Sequence, residues 1–320
     1  PQGQSDDAFS DKEDDPEPQI VTGSIPNNKS DLMRFYVANE KVDVAGTDNV
    51  FLYLGWVRSN TLGSANMDFE FNQSQALSAN GVTPERTEGD LLITFGFSGN
   101  NNSVDLGLSR WHETGSNCES ASSAPCWGPV LPLQGPAEGS VNNDSTVFDP
   151  VENVTLAEQT FGEAAINLTT AGVFDPVECV TFGRAYVKSR SSTAFTSSLK
   201  DFIQPIGVTV SNCATVTITK DAIPDDEQDF HFTGPAEFGA GSFFLDDDGD
   251  ENNALPSSAV FEDRFEDGPV TITEDPAPGW DLTSASCSVV GGSPTTDSDP
   301  TGGSVTVDAG AGDNVSCTFT

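Results

Sequence analysis

Two carboxylates, Asp68 and Glu70, alternate with the apolar residues Met67, Phe69 and Phe71. Alternate residues of a strand point to the same face, so a strand here places both carboxylates on one face. Retaining glycosidases place two carboxyl groups about 5 Å apart, and one hypothesis is therefore glycoside hydrolysis on a concave sheet. The sequence favours the alternative, a solvent-facing side of an amphipathic strand with the apolar residues inward, because no third acid completes a motif.

An acidic loop, Asp246-Asp-Asp-Gly-Asp-Glu-Asn-Asn253, concentrates side-chain oxygens in a short stretch. Calcium takes about six to eight oxygen ligands, so Asp246, Asp248 and Asp250 are the candidate Ca²⁺ ligands. The glycine stands too early for an EF-hand, and no Glu closes the loop at its last position. A solvated acidic turn is the alternative. No other cofactor is predicted.

The six cysteines predict three disulfides in sequential order. Six cysteines allow many connectivities, and the close spacing of the first two favours this one. The predicted pairs are Cys118–Cys126, Cys179–Cys213 and Cys287–Cys317. Disulfides persist in oxidising compartments, so we expect a secreted, extracellular protein. A zinc site is disfavoured because no C-x₂-C spacing occurs and the two histidines are far apart in sequence.

The four tryptophans offer two interpretations, a sugar-binding platform or core packing. Core packing is favoured because sandwich tryptophans are mostly buried. Trp127, which directly follows Cys126, is expected to pack on a disulfide. No Ser-His-Asp arrangement can be argued from two histidines, and no dinucleotide-binding or P-loop motif occurs. We therefore expect that the protein is not an enzyme.

Asn-x-Ser/Thr sequons suggest a surface decorated with glycans, the alternative being unmodified asparagines. The candidate glycosylation sites are Asn28, Asn72, Asn101, Asn143, Asn153, Asn167 and Asn314.

The net charge of −37 disfavours nucleic acid and anionic membranes as partners. Gly, Pro, Ser, Thr, Asp and Asn are abundant, a bias that favours strands and tight turns over helices. No apolar run is long enough to span a membrane within this segment. The sequence starts at Pro1 without Met, and we expect that a signal peptide was removed or that the chain was trimmed.

Three segments are predicted along the chain. Residues 1–30 form an acidic arm, in whose first part, residues 1–18, no core is expected. The run Gln19-Ile-Val-Thr-Gly23 is expected to be a strand donated to a neighbouring subunit or, alternatively, the first strand of its own domain. Residues 31–212 carry short strand-like runs and predict a jelly-roll-type β-sandwich, with short helices near 161–168 and 197–203. Residues 213–320 predict a second β-sandwich, and the boundary is placed at 208–215.

Motifs of the last segment resemble a known family. They are Ile218-Thr-Lys220-Asp, Phe243-Phe-Leu-Asp-Asp-Asp248, Thr273-Glu274-Asp-Pro-Ala-Pro-Gly-Trp280, and Ser286-Cys287 with Ser316-Cys317-Thr-Phe-Thr320. This stretch is similar to the prealbumin-like, Cna-B or SpaA-type domains of bacterial surface proteins, which serve as pilin and stalk modules. The resemblance implies an Ig-like, prealbumin-like fold for 213–320.

The resemblance also implies residue roles. In isopeptide-bearing members, a Lys of the first strand is bonded to an Asn of the last strand beside a Glu. By position, Lys220 and Glu274 match the Lys and the Glu, and the Asn would follow Cys317-Thr-Phe-Thr320. The alternative is that the Cys287–Cys317 disulfide joins the strands instead.

Residues 31–212 resemble a region of large secreted proteins of unassigned activity. The stretches that carry this resemblance include Leu52-Tyr-Leu-Gly-Trp56, Arg86-Thr-Glu-Gly-Asp-Leu-Leu-Ile93 and Val187-Lys-Ser-Arg-Ser-Ser192. It implies a surface protein and supplies no catalytic residues.

The predicted function is an all-β extracellular structural protein, a subunit of a surface filament or coat. Copies of the chain are the expected partners, with an N-terminal arm adding a strand to the next subunit's sheet edge. A monomeric adhesin or carbohydrate-binding module that binds surface glycans is the first alternative. A glycoside hydrolase using Asp68 and Glu70 is the second.

Overall fold

The structure is a computed structural model, and it describes the following parts of the chain. These are residues 7–22, 31–44, 47–61, 63–99, 103–174, 179–236, 238–249, 255–263, 269–290, 296–299, 302–309 and 313–320. The chain forms two compact units. Unit 1 comprises Pro1–Val42, Asn49–Val173 and Thr181–Val210, and unit 2 comprises Asp43–Asp48, Phe174–Val180 and Ser211–Thr320.

The described residues up to Ser211 contain the following strands. They are β1 (Asp7–Phe9), β2 (Ile20–Thr22), β3 (Leu32–Val44), β4 (Thr47–Arg58), β5 (Ala65–Asn72), β6 (Leu91–Ser98), β7 (Ser103–His112), β8 (Cys126–Trp127), β9 (Leu131–Pro132), β10 (Ala137–Val141), β11 (Val147–Asp149), β12 (Val154–Leu156), β13 (Phe161–Asn167), β14 (Thr181–Arg190) and β15 (Leu199–Ser211).

Two main sheets form unit 1. The larger has the order β2-β1-β15-β14-β5-β6-β7-β8, with β9 also pairing β7, and the smaller has the order β10-β13-β4-β3. Aromatic contacts join the two sheets: the Trp56 and Phe95 rings are 5.5 Å apart, and Phe35 and Phe69 are 6.5 Å apart. The β11–β12 hairpin forms a separate pair. The β-sandwich is therefore as predicted, and its jelly-roll topology stays a prediction.

Strand β5 is buried along its whole length. It lies inside the large sheet, between β14 and β6. Its odd-numbered apolar residues share the face that carries Phe69, which packs toward the smaller sheet. Its even-numbered polar residues share the opposite face, and they too are buried. That second face must therefore be covered by other parts of the chain.

The N-terminal segment, residues 7–22, is part of this large sheet. Strand β1 pairs with β15 through Ala8 and Asp201, and β2 pairs with β1. Phe9 is buried and stacks on Phe202 with ring centroids 4.3 Å apart. The prediction that residues 1–18 form no core is wrong over this segment, because its apolar residues are covered by a sheet formed by distant parts of the chain.

The two alternatives for the strand at 19–23 can be compared with the structure. Strand β2 pairs within its own unit, as in the alternative of a first strand of its own domain. Residues 1–6 and 23–30 of the predicted arm lie outside the described residues.

The two predicted helices are strands. The segment near 161–168 forms β13, which pairs with β10 and β4. The segment near 197–203 leads into β15. The prediction was wrong because local helix propensity is weak, and sheet pairing on both sides of β13 outweighs it.

Unit 2 is a second pair of sheets. Its strands are β16 (Ala214–Lys220), β17 (Asp226–Thr233), β18 (Ser242–Asp247), β19 (Ser258–Asp263), β20 (Val270–Glu274), β21 (Ala285–Val290), β22 (Thr296–Asp299), β23 (Ser304–Val307) and β24 (Asn314–Phe319), with a 3₁₀ turn at Gly239–Gly241. The sheets have the orders β19-β16-β24-β21 and β18-β17-β20-β23-β22. Phe232 of one sheet packs edge-on against Phe319 of the other, 5.2 Å between centroids. Strands β16 and β24 pair in parallel, which sets the last strand beside the first strand of the unit.

Three disulfides join the cysteines in the sequential order that was predicted. They are Cys118–Cys126, Cys179–Cys213 and Cys287–Cys317. In the last pair, the cysteines are direct cross-strand partners on β21 and β24. The disulfides indicate an extracellular location.

None of the described helical segments has the length and apolar character required to cross a membrane.

Candidate functional site

The acidic residues of β5 face cations of β14. The register of the two strands pairs Tyr186 with Glu70 and Lys188 with Asp68. Because alternate residues share a face, Tyr186, Lys188 and Arg190 line the same face as the two carboxylates. The result is a layer of opposite charges, which we call the buried charge cluster: Glu13, Asp68, Glu70, Arg86, Tyr186, Lys188 and Arg190.

Glu70 is the centre of this cluster. Its carboxylate accepts two hydrogen bonds from Arg86, with Nε 2.8 Å from Oε1 and Nη2 2.9 Å from Oε2. The Tyr186 hydroxyl donates to Oε2 at 2.7 Å, and Lys188 Nζ donates to the same oxygen. Asn72 Nδ2 donates to Oε1 at 3.0 Å. Charge and lone pairs of Glu70 are thus satisfied inside the protein, as burial requires.

Asp68 forms a separate pair with Arg190. Arg190 Nη2 donates to Asp68 Oδ1 at 3.0 Å, and Nε contacts Oδ2. Arg190 also donates Nη1 to the carbonyl oxygen of Thr193 at 3.1 Å. The pair is bidentate, which is the strongest arrangement for a guanidinium and a carboxylate.

Glu13 brings the N-terminal segment into the cluster. The residue is 0% exposed, and its Oε1 contacts Lys188 Nζ. Arg86 Nη1 donates to the carbonyl oxygen of Asp15 at 2.7 Å, so Arg86 also binds the backbone of the loop between β1 and β2. The Lys188 ammonium lies 5.8 Å from the Trp127 ring centroid and 5.3 Å from that of Tyr186. The segment therefore covers the polar face of β5.

Burial and neighbouring charges shift the pKa values of these groups in different directions. Burial raises the pKa of Glu13 to about 7, against the attraction of Lys188. Burial would also raise the pKa of Glu70, but Arg86 and Lys188 outweigh it and hold that pKa well below its usual range. The pKa of Lys188 is raised, since Glu13 and Glu70 outweigh the effect of its burial. Of the two glutamates, Glu13 is the one that readily takes a proton.

Asp68 and Glu70 were expected either on a solvent-facing strand side or in a hydrolytic cleft. The first expectation is wrong, since both are 0% exposed. The covering groups come from sequence positions that no local pattern connects with β5. A glycoside cannot reach either carboxylate in this arrangement. The sequence did not predict the charged neighbours of the two carboxylates, which are Glu13, Arg86, Lys188 and Arg190. The available signal was the alternation of Tyr186, Lys188 and Arg190.

Three of the four tryptophans are buried, and the fourth is partly buried. Trp56, Trp111 and Trp127 are at most 2% exposed, which agrees with core packing. The guanidinium carbon of Arg86 lies 4.7 Å from the Trp111 ring and 5.0 Å from the Trp127 ring. Trp280 is partly buried against the core of unit 2. The three buried rings offer no platform for a sugar.

The candidate calcium loop is only partly described. Asp246 is buried, Asp248 is not, and Asp250 lies outside the described residues. Among the residues that the structure does describe, no group of three or more His, Cys, Asp or Glu is arranged to hold a metal ion. The Ca²⁺ site stays a prediction.

The sequons differ in accessibility. Asn72 is 0% exposed and donates to Glu70 and to Asp90, so it cannot carry a glycan in the folded unit. Asn153 and Asn314 are exposed, whereas Asn143 and Asn167 are half-buried. Asn28 and Asn101 lie outside the described residues. Glycosylation at the accessible sites stays a prediction.

Unit 2 has its own buried ion pair. Lys220, the last residue of β16, and Glu274, the last residue of β20, are 3.3 Å apart between Nζ and Oε2. Burial raises the pKa of Glu274 despite Lys220. Both residues line a cavity of about 440 Å³ that Trp280 and Thr320 also border. The structure thus brings together the two residues to which the family resemblance assigned an isopeptide site, and the isopeptide bond itself stays a prediction.

Comparisons with known proteins give a family match for the last third of the chain. No curated protein and no solved structure matches the chain. Residues 216–320 match the model of the SpaA_4 family, and this last third of the chain is a prealbumin-like fold domain, a type typical of bacterial surface proteins.

Proposed function

We propose that the chain is a non-enzymatic, extracellular structural protein, a subunit of a surface filament or coat. The observation that carries the proposal is the position of Asp68 and Glu70. The two carboxylates that were considered for hydrolysis are 0% exposed and bind interior cations. The ion pairs of Asp68 and Glu70 therefore join separate segments of unit 1, which is a structural role. The prealbumin-like domain and the three disulfides support an extracellular setting.

Assembly by strand addition needs a free sheet edge. Strand β3 ends the smaller sheet of unit 1 and pairs only with β4 in the described order. It is 13 residues long, and its central residues Ala38, Asn39 and Glu40 are exposed. A long open edge accepts a strand from another chain because its backbone groups lack sheet partners. We propose this edge as the surface along which a second copy adds.

The test is the size and shape of purified residues 1–320 at high concentration. We expect filaments or ordered arrays in negative-stain images and large assemblies in light scattering. Ala38→Asp should shorten or abolish them, because it adds a charge to the strand edge of every copy. Val151→Asp is the matched control, since Val151 is 71% exposed and lies outside the strands. Particles of monomer mass at every concentration would reject the filament.

A monomeric surface stalk or adhesin is the second candidate. The observation that favours it is the pairing of β1 and β2 within their own sheet, because a free N-terminal arm is then not offered to a neighbour. Discrete monomeric particles in the same images would support it. Glycan arrays would then test whether the monomer binds carbohydrate.

A further inference from the structure

The contact between Glu13 and Lys188 has a chemical consequence beyond charge pairing. Both residues are 0% exposed, and Lys188 Nζ touches a Glu13 carboxylate oxygen. Among the residues that the structure describes, neither Glu13 carboxylate oxygen has a hydrogen-bond donor with suitable geometry. A second carboxylate, that of Glu70, contacts the same Nζ. An amine, a carboxyl group and a second carboxylate thus meet in a site closed to water.

We propose that Lys188 Nζ and Glu13 Cδ become joined by an amide bond, a covalent cross-link between the N-terminal segment and strand β14. The site lies outside the residues that match the prealbumin-like domain, and the proposal does not depend on filament assembly. Its effect would be to make the docking of residues 7–22 permanent.

The reaction is a condensation without an oxidant or a cofactor. The ion pair contains an ammonium with three protons and a carboxylate. One proton passes from Nζ to a Glu13 carboxylate oxygen, and a second passes to the same oxygen once Nζ has attacked Cδ. The Nζ–Cδ bond forms, one Cδ–O bond breaks, and that oxygen leaves with both protons as water. The product amide keeps one N–H, and Glu70 stays ionised throughout.

Two physical effects favour this reaction. Contact of Lys188 Nζ with the Glu13 carboxyl group in the folded chain replaces a bimolecular encounter, and such proximity corresponds to effective concentrations on the order of 10⁵ M or more. Condensation also removes two charges from the interior, where each costs desolvation free energy. Burial raises the pKa of Glu13 to about 7, so its carboxyl readily holds the proton that its oxygen needs to leave.

Glu70 has the role of a positioning group. Arg86 fixes its carboxylate through two hydrogen bonds, so Oε2 stays directed at Lys188 Nζ. The raised pKa of Lys188 opposes loss of its proton. Deprotonation is therefore the slow step, and its acceptor has to be in contact with Nζ.

The test is the intact mass of the folded, purified full chain, measured after denaturation and reduction of the disulfides. We expect a mass lower by one water molecule than the sequence requires. Proteolysis should then yield one branched peptide that contains both Glu13 and Lys188. The full sequence mass, with the two peptides recovered separately, would overturn the proposal, and so would a loss of water that maps elsewhere.

Variants assign the bond to its residues. Lys188→Arg keeps the positive charge but cannot form the amide, so it should restore the full mass. Lys200→Arg, the matched control on β15, should still lose water. Glu13→Ala should restore the full mass, and Glu70→Gln should slow the loss at least tenfold. If a variant does not fold, the mass of the wild-type chain and its branched peptide still decide whether the amide between Glu13 and Lys188 forms.

Discussion

Arg86 and Glu70 form a bidentate ion pair inside unit 1, with Nε 2.8 Å from Oε1 and Nη2 2.9 Å from Oε2. Their side chains are 3% and 0% exposed. Arg86 also donates Nη1 to the carbonyl oxygen of Asp15 at 2.7 Å. One guanidinium therefore neutralises the central carboxylate of the buried charge cluster and fixes the backbone of the N-terminal segment.

Arg86→Met should lower the free energy of unfolding of unit 1 by about 3–5 kcal/mol, because it leaves Glu70 buried with one cation fewer. Urea unfolding followed by tryptophan fluorescence measures this, since Trp111 and Trp127 pack on the guanidinium. Arg184→Met is the control: Arg184 Nη2 makes a 3.3 Å hydrogen bond to the carbonyl oxygen of Gln75, worth about 1 kcal/mol. Equal losses in the two variants would contradict the central position of Arg86.

Glu70 should make unit 1 sensitive to acid. Its pKa in the folded chain lies below the ordinary value of 4.5, since Arg86 and Lys188 outweigh its burial. The unfolded chain therefore binds the proton more tightly, and the stability that Glu70 contributes is complete above about pH 4.5 and lost as pH falls below it. The free energy of unfolding, measured between about pH 3 and 6, should fall less steeply with acid in Glu70→Gln than in the wild type.

The matched control for this pH dependence is Glu85→Gln. Glu85 is exposed and lies next to Arg86 in sequence. This variant should keep the acid slope of the wild type. If Glu70→Gln also keeps that slope, the ion pairs of Glu70 do not set the acid stability of unit 1.

The sequence predicted part of the buried charge cluster. Alternation of Asp68 and Glu70 with apolar residues predicted a strand with both carboxylates on one face, and β5 has that form. It did not predict burial of that face, because Glu13 and Arg86 reach it from other parts of the chain. Strand periodicity reports which residues share a face, whereas the covering of a face depends on long-range packing.

The same distinction holds for secondary structure and pairing. The all-β class followed from composition, and the last domain from motifs that span residues 216–320. The segment near 161–168 was predicted as a helix from its local residues, but pairing of β13 with β10 and β4 decides its conformation. The sequential order of the cysteines predicted the disulfides correctly. The burial of Asn72 was not predictable from its sequon, because it depends on hydrogen bonds to Glu70 and Asp90.

Loss of the disulfides should affect the two units unequally. Cys118 and Cys126 are 8 residues apart, and Cys287 and Cys317 are 30 apart. A cross-link stabilises mainly by restricting the unfolded chain, and more so for a longer loop. Replacing both cysteines by Ala should therefore cost about 1 kcal/mol less for the first pair than for the second. Urea unfolding of each double variant measures the two losses, and a larger loss for the short loop would contradict this account.

Unit 1 should require a glycine at position 162 of β13, because the Trp56 ring leaves no room there for a side chain. A Cβ at Gly162 would lie 2.4 Å from the indole of Trp56, which is fully buried. Gly162→Ala should therefore lower the free energy of unfolding of unit 1 by about 1–3 kcal/mol, because the ring has to move within a packed core. Gly207→Ala is the matched control on β15, where a Cβ would meet no atom of the described residues within 4 Å. It should leave stability unchanged or raise it by up to about 1 kcal/mol, through the reduced entropy of the unfolded chain. Thermal and urea unfolding of both variants test the pair, and a Gly162→Ala protein as stable as wild type would mean that Trp56 does not pack on β13.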